Sequence, residues 1–227
     1  MRVPLSLTSG KAALLLVDFQ EEQRVDPTIQ PENLDNVLGK AQQLLSIARE
    51  RGIPVFHAGY VRDFTIRPPR PFEPRSADGG ASFSDKKNPL VAFCKEVAPV
   101  PGERVILKND ASAFEEGSLA GRLHDLKTEW LVIAGVWTEQ CIAASVRDAM
   151  AAGFRVLIVK DACTSGTVAM HQSAVLNLAN RLYGGAVADL ARTLALLRGE
   201  TADVWRTEKP VPIRFTFDDV TAHYDSL

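Results

Sequence analysis

The sequence predicts an α/β protein: a three-layer α/β/α sandwich around a mostly parallel, doubly wound, six-stranded sheet of Rossmann-like type. Three observations carry that reading. Short apolar runs such as AALLLV at 12–17 and LVIA at 131–134 recur along the chain. They lack the alternation of a half-exposed strand, so they read as strands covered on both faces. Between them lie segments with apolar residues at helical spacing, several closed by glycine. A strand–helix alternation of this kind implies parallel strands, right-handed crossovers and helices on both faces of the sheet.

The totals fit one such domain. The chain has 227 residues, 46% hydrophobic and 24% charged, with a net charge of −2. Its mean hydropathy is −0.03, which excludes disorder and a membrane protein as overall classes. No long basic run is present, so nucleic acid is not the expected partner. The apolar run near the N-terminus is closed by Asp18, too early for a membrane span, and no signal-peptide cleavage pattern follows it. Three cysteines are too few for a disulfide scaffold in this length and suit a reducing compartment. The expectation is a cytoplasmic protein without a membrane partner.

Taken in order, Ala12–Val17 is the first strand, with Asp18 at its carboxyl end. Segment 31–51 carries Leu34, Val37, Leu38, Ala41, Leu44, Leu45 and Ala48 on one face of a helix that stops at Gly52. A second strand is expected at 53–57. Residues 59–89, with Pro68, Pro69, Pro71, Pro74, Gly79 and Gly80, form a long loop, which in one alternating series reads as a lid or a subunit contact. The third strand is 104–107, ending at Lys108. A loop at 109–114 and a helix at 117–127 follow. The fourth strand is 130–134, then come a tight turn and a helix at 139–152 stopped by Gly153. The fifth strand is 154–159, followed by a helix at 171–183. A short sixth strand at 184–187 and a last helix at 190–198 complete the series. Domain limits are set at 1–199, with 200–227 as a C-terminal extension. There 213–217 reads as an extra strand or as an arm at a subunit interface, because Trp205, Ile213, Phe215 and Phe217 need a surface to cover them.

Asp18, Lys108 and Cys141 each follow a strand at its carboxyl end, the edge where open parallel sheets place ligands. Cys141 lies in the first turn of a helix, where the dipole and unpaired N–H groups favour the thiolate. A carboxylate, an ammonium and a thiol meeting there would make an activated nucleophile. A buried structural ion pair beside an unrelated packing cysteine fits the same spacing. Cys94 and Cys163 belong to no motif and read as packing residues.

VDFQ at 17–20, KNDASAF at 108–114 and AGVWTEQC at 134–141 together resemble the three signatures of the isochorismatase-like cysteine hydrolase family. That family includes nicotinamidases, N-carbamoylsarcosine amidases, ureidoacrylate hydrolases and biuret hydrolases. The resemblance implies a catalytic triad of Asp18, Lys108 and Cys141, and a cis peptide at Val136–Trp137. It also implies an oxyanion site made by the N–H groups of Trp137 and Cys141. Phe19, Gln20, Tyr60, Arg62, Phe114 and Trp137 are the expected substrate contacts, although Trp137 fits packing equally and Arg62 fits a solvated side chain. The implied reaction is cleavage of a C–N bond in a small linear amide or carbamoyl (ureido) compound through a thioester, with no cofactor. Homodimers or homotetramers are implied as well. Nicotinamidases place an Asp-x-His metal pair after the second strand. This chain reads HAGYVRD there, with His57 still on the strand, so no metal is expected. A vinyl-ether hydrolase of isochorismatase type and a non-catalytic binding protein are the alternatives. Cys141 speaks against the first and the intact triad against the second.

Overall fold

The computed structural model describes residues 1–8, 10–115 and 117–227. The strands are β1 (Arg2–Leu5), β2 (Ala12–Val17), β3 (Val55–Tyr60), β4 (Arg104–Lys108), β5 (Trp130–Gly135), β6 (Arg155–Cys163), β7 (Ala186–Ala188) and β8 (Ala202–Trp205). The helices are α1 (Glu22–Val25), α2 (Leu34–Glu50), α3 (Ser118–Asp125), α4 (Ala143–Ala151), α5 (Val168–Ala179), α6 (Leu190–Leu197) and α7 (Val220–Ser226).

All eight strands join one sheet in the order β1-β8-β7-β6-β5-β2-β3-β4. Strands β2 to β7 run parallel, while β8 pairs antiparallel with both β7 and β1. The sheet therefore has two strands more than the sequence led us to expect. Both are short, RVPL at the edge of the sheet and ADVW next to it, and only partly covered, so neither gives the apolar run that marks a central strand.

The period-2 alternation of the strands sorts the core into two layers. Leu14, Leu16, Val132, Ala134, Leu157 and Val159 face α2 and α6. Leu15, Val17, Leu131, Ile133, Val156 and Ile158 face α3, α4 and α5. Both faces of β2 and β5 are thus closed to water, as in a three-layer sandwich.

The chain leaves β2 toward β3 and β4 and then returns to β5 on the other side of β2. The direction of winding reverses between β2 and β5, and the crevice for a ligand opens there, at the carboxyl ends of the strands. Val17 sits opposite Gly135 at that point. Gly135 has φ +145°, and a Cβ on it would lie 2.2 Å from the Val17 carbonyl oxygen. No other residue type fits that close approach.

The tail departs from the expected arm. Segment 213–217 forms no strand; the extra strand is β8, which ends at Trp205. Trp205, Ile213, Val220 and Leu227 are buried in the layer that holds α5, so they cover their own chain rather than a neighbour. Phe217 alone of the tail's large apolar residues is fully exposed. The edge of β7 away from β6 would otherwise lack a partner, and β8 supplies the pairing there.

A paired substitution tests the crevice geometry. Gly135→Ala should lower the unfolding free energy by roughly 3 kcal/mol in urea titration, the upper range for forced overpacking. Gly39→Ala, inside α2 with no atom within 4 Å of the place its Cβ would take, should raise it by about 1 kcal/mol.

Candidate active site

Three side chains meet at the crevice. Lys108 Nζ donates to Asp18 Oδ2 at 2.9 Å and to Cys141 Sγ at 3.3 Å, and its third donor reaches the carbonyl oxygen of Asp110 at 3.2 Å. Asp18 and Lys108 are both buried. Each is delivered by the end of its strand. Asp18 leaves β2 with φ +55°, a left-handed conformation that Asp adopts more readily than most residues, and its N–H is held by the Ala58 carbonyl at 2.8 Å. Lys108 ends β4, which is two strands from β2, about 10 Å away. Only a long side chain spans that gap. Its ammonium crosses β3 over the Tyr60 ring, 4.8 Å from the centroid.

Cys141 follows the turn after β5. The peptide bond between Val136 and Trp137 is cis. Residues 138–142 are wound as a π-helix before α4 begins, a wider turn than the plain α-helix expected there. The Trp137 N–H makes no hydrogen bond among the described residues, while its carbonyl accepts from the N–H groups of Gln140 and Ile142. The loop after β4 is tied to this helix by the Ala113 N–H, which donates to Ser145 Oγ at 2.9 Å.

The electrostatics correct one expectation. Burial pushes the Cys141 thiol up, the Asp18 carboxylate adds to that, and Lys108 opposes it without prevailing. The reason is charge balance. Lys108 and Asp18 form a neutral pair, so the sulfur gains no net cation for its loss of water. The direction is opposite to the one expected from the helix terminus. Burial also acts against the Lys108 charge, but Asp18 and Cys141 outweigh it and raise the ammonium's pKa. Asp18 Oδ1 is buried and has no hydrogen-bond partner among the described residues, which leaves it free to accept the thiol proton.

Of the six expected substrate contacts, the structure gathers few at the triad. Phe19 is buried in the α2 layer and Phe114 in the opposite one, 6.2 Å from Phe154 between ring centroids. Gln20 spends its amide on backbone, donating to the Tyr60 and Val91 carbonyls and accepting from the Tyr60 N–H. Arg62 is 1% exposed and is held by both Glu73 oxygens, at 2.7 Å each, and by the Arg67 carbonyl at 3.0 Å. These bonds tie it into the loop, where it lines the same cavity as Tyr60. Tyr60 does lie at the site. Its ring stacks on Phe83 at 5.6 Å and joins Arg70, Phe72 and Glu73 around a cavity of about 310 Å³. The Trp137 ring is held in place, with Nε1 donating to Gln23 at 3.0 Å and its face against Gly166, where a Cβ would come within 2.8 Å.

Sequence reasoning passed over Gln23 and two loop-anchoring carboxylates. Glu22 accepts from the Ser84 N–H and hydroxyl and from Asn88, and Glu73 holds Arg62. Both carboxylates fix the 61–88 loop over the carboxyl edge of β3. Nothing in their spacing distinguishes them from solvated charges. His57 is buried, 2.9 Å from Glu103 and edge-on to Phe93. Among the described residues no group of three or more His, Cys, Asp or Glu is placed to hold a metal.

Comparison with known proteins agrees with this architecture. The model of the isochorismatase domain matches residues 12–192. The chain belongs to the isochorismatase family. It is similar to maleamate amidohydrolase of Pseudomonas putida, 34% identical over 188 residues, covering 78% of this chain and 83% of that one. It is also similar to N-carbamoylsarcosine amidase of an Arthrobacter species, 26% identical over 56% of this chain and 49% of the relative. Among solved structures, an isochorismatase-family protein from Chromobacterium violaceum superposes with a TM-score of 0.72 at 31% identity, over 87% of this chain and 99% of that one.

The charge balance gives a test with a definite sign. Asp18→Asn removes the anion that holds the thiol up and leaves Lys108, so the thiol pKa falls and the thiolate fraction at pH 7 rises. Iodoacetamide should then alkylate Cys141 about tenfold faster than in the wild type, or more. Lys108→Ala should slow the same reaction. Rates followed by intact mass between pH 6 and 9 decide it. Equal rates in all three proteins would show that the three groups do not interact.

Proposed function

We propose that this protein is a cysteine-dependent amidohydrolase that cleaves the C–N bond of a small linear amide or carbamoyl (ureido) compound through a thioester on Cys141. The observation that carries the reading is the single ammonium of Lys108 bonded to both the Asp18 carboxylate and the Cys141 sulfur. The resemblance of the chain to an amidohydrolase over 78% of its length and to an amidase over 56% supports it.

The free oxygen of Asp18 takes the thiol proton as sulfur attacks the carbonyl carbon, so the charge that leaves the carboxylate appears on the substrate oxygen. That oxyanion is met by the unpartnered N–H of Trp137 and the N–H of Cys141. Collapse of the adduct expels the amine, which takes the proton from Asp18, and leaves the thioester. Water then attacks, Asp18 receives its proton, and the thiol leaves and recovers that proton. The sum is amide plus water giving acid plus amine, with Asp18, Lys108 and Cys141 restored. Lys108 stays charged throughout and keeps the buried carboxylate tolerable in either half-reaction.

The 1–199 segment supplies these groups. We place the protein in the cytoplasm, in keeping with its three free cysteines. We read it as a homodimer or homotetramer, in keeping with exposed Val105, Leu107, Phe72 and Phe217.

A panel of maleamate, N-carbamoylsarcosine and biuret, followed by ammonia release, tests the activity. Cys141→Ala should lose turnover of whichever compound the wild type hydrolyses, with its unfolding midpoint preserved. Turnover should also persist after exhaustive dialysis against EDTA. A Cys141→Ala protein with near-normal kcat would refute the thioester route, and loss of activity on chelation restored by zinc would refute the metal-free one.

A further inference from the structure

Thr138 follows Trp137 and opens the turn that carries Cys141, and it is wholly buried. Its N–H donates to the Thr164 carbonyl at 3.0 Å. Its hydroxyl lies 2.9 Å from that same oxygen and 2.8 Å from His171 Nδ1. On the far side of the imidazole, Nε2 is 3.0 Å from the Tyr224 hydroxyl, which in turn is 3.2 Å from the Lys160 carbonyl. The Lys160 ammonium donates to the Tyr224 carbonyl at 2.7 Å and sits 4.6 Å from the centre of the Tyr224 ring. Tyr224 belongs to α7. A continuous hydrogen-bonded chain thus runs from the C-terminal helix to the residue after the oxyanion donor.

The protons in this chain can be counted. In one arrangement Thr138 donates to Thr164, His171 Nδ1–H donates to Thr138, and Tyr224 donates to Nε2. In the other, Thr138 donates to Nδ1, Nε2–H donates to Tyr224, and Tyr224 donates to Lys160. Both arrangements satisfy every donor, and both need an imidazole with one acceptor nitrogen. Burial keeps His171 in that neutral form by pushing its pKa down to about 4. None of these groups is used by the thioester chemistry. The Tyr224 ring packs against the core beside Val220 and Leu227, so Tyr224→Phe keeps that packing and removes the hydroxyl alone.

We infer that α7 is a positioning element of the active site: Tyr224 and His171 hold Thr138, and Thr138 fixes the Trp137–Thr138 peptide, the one next to the Trp137 N–H that receives the oxyanion. This rests on the thioester reading and adds a role for the tail that the family match, ending at residue 192, does not cover.

The test separates attack by sulfur from stabilisation of the oxyanion. Iodoacetamide alkylates Cys141 by displacing iodide and builds no oxyanion. Propionaldehyde adds the sulfur to its carbonyl carbon, breaking the C=O π bond. The thiol proton moves to Asp18 or to the new oxygen, which then occupies the oxyanion position. Protection of Cys141 from iodoacetamide by propionaldehyde therefore reads that position directly. In Tyr224→Phe and Thr138→Val the alkylation rate should stay within about twofold of the wild type. The propionaldehyde concentration giving half protection should rise about tenfold, a fraction of what losing an oxyanion donor outright costs. Thr138→Ser, which keeps the hydroxyl, should restore protection. Unchanged protection in Tyr224→Phe and Thr138→Val overturns the inference. So does a parallel fall of alkylation, protection and melting temperature, which would mark a purely structural role. If the aldehyde fails to protect the wild-type protein, the thioester reading falls first and the positioning role falls with it.

Discussion

A buried ammonium between a carboxylate and a sulfur sets the terms for the rest of this molecule. Lys108 is taken wholly out of water, and an isolated charge in that position would neutralise itself or unfold its surroundings. Its three donors are each met, by Asp18, Cys141 and the Asp110 carbonyl. Removing one partner of such a pair leaves the other charge unpaired, which costs far more than the pair contributes. The Lys108–Asp18 pair therefore constrains three strand ends to one geometry, and the loops that follow those strands are tied accordingly.

The sheet order makes that geometry possible. With β2 between β5 and β3, the ends of β2 and β5 are neighbours, and Gly135 lets their backbones approach closely enough for Val136 N–H to bond to the Val17 carbonyl at 3.0 Å. β4 is the outermost strand on that side and must send its side chain over β3. The flat ring of Tyr60 gives the lysine stem and ammonium a floor to cross. Strand order, glycine position and side-chain length thus explain why the carboxylate, ammonium and thiol come from β2, β4 and the turn after β5.

The triad was legible in the sequence because each member directly follows an apolar run, and polar residues at that place in a parallel sheet have one edge in common. Helix α2 was equally plain from its single apolar face. The short strands β1 and β8 were not, since four partly covered residues leave no period long enough to read. The roles of Gln20 and Arg62 were harder to read for a different reason. A polar side chain beside a strand end can enter a pocket or can satisfy loop backbone, and the choice depends on where a thirty-residue irregular segment folds, which local pattern does not encode. The ionisation of Cys141 was misjudged because the helix terminus and lysine are visible in sequence, whereas burial and the cancelling carboxylate are consequences of the fold.

The cysteines carry a consequence for how this protein ages. Burial pushes Cys94 and Cys163 up to about 12, and Cys141 is raised as well, so the fold disfavours all three thiolates. Once the chain opens, all three return to the ordinary thiol value of about 8.5, and a few per cent of each becomes thiolate at neutral pH. Thiolates exchange and oxidise; thiols scarcely do. The fold therefore works against oxidation of all three thiols. In an oxidising medium, opening of the sheet would free these thiols to form disulfides, and endurance would then follow the unfolding rate rather than the equilibrium stability.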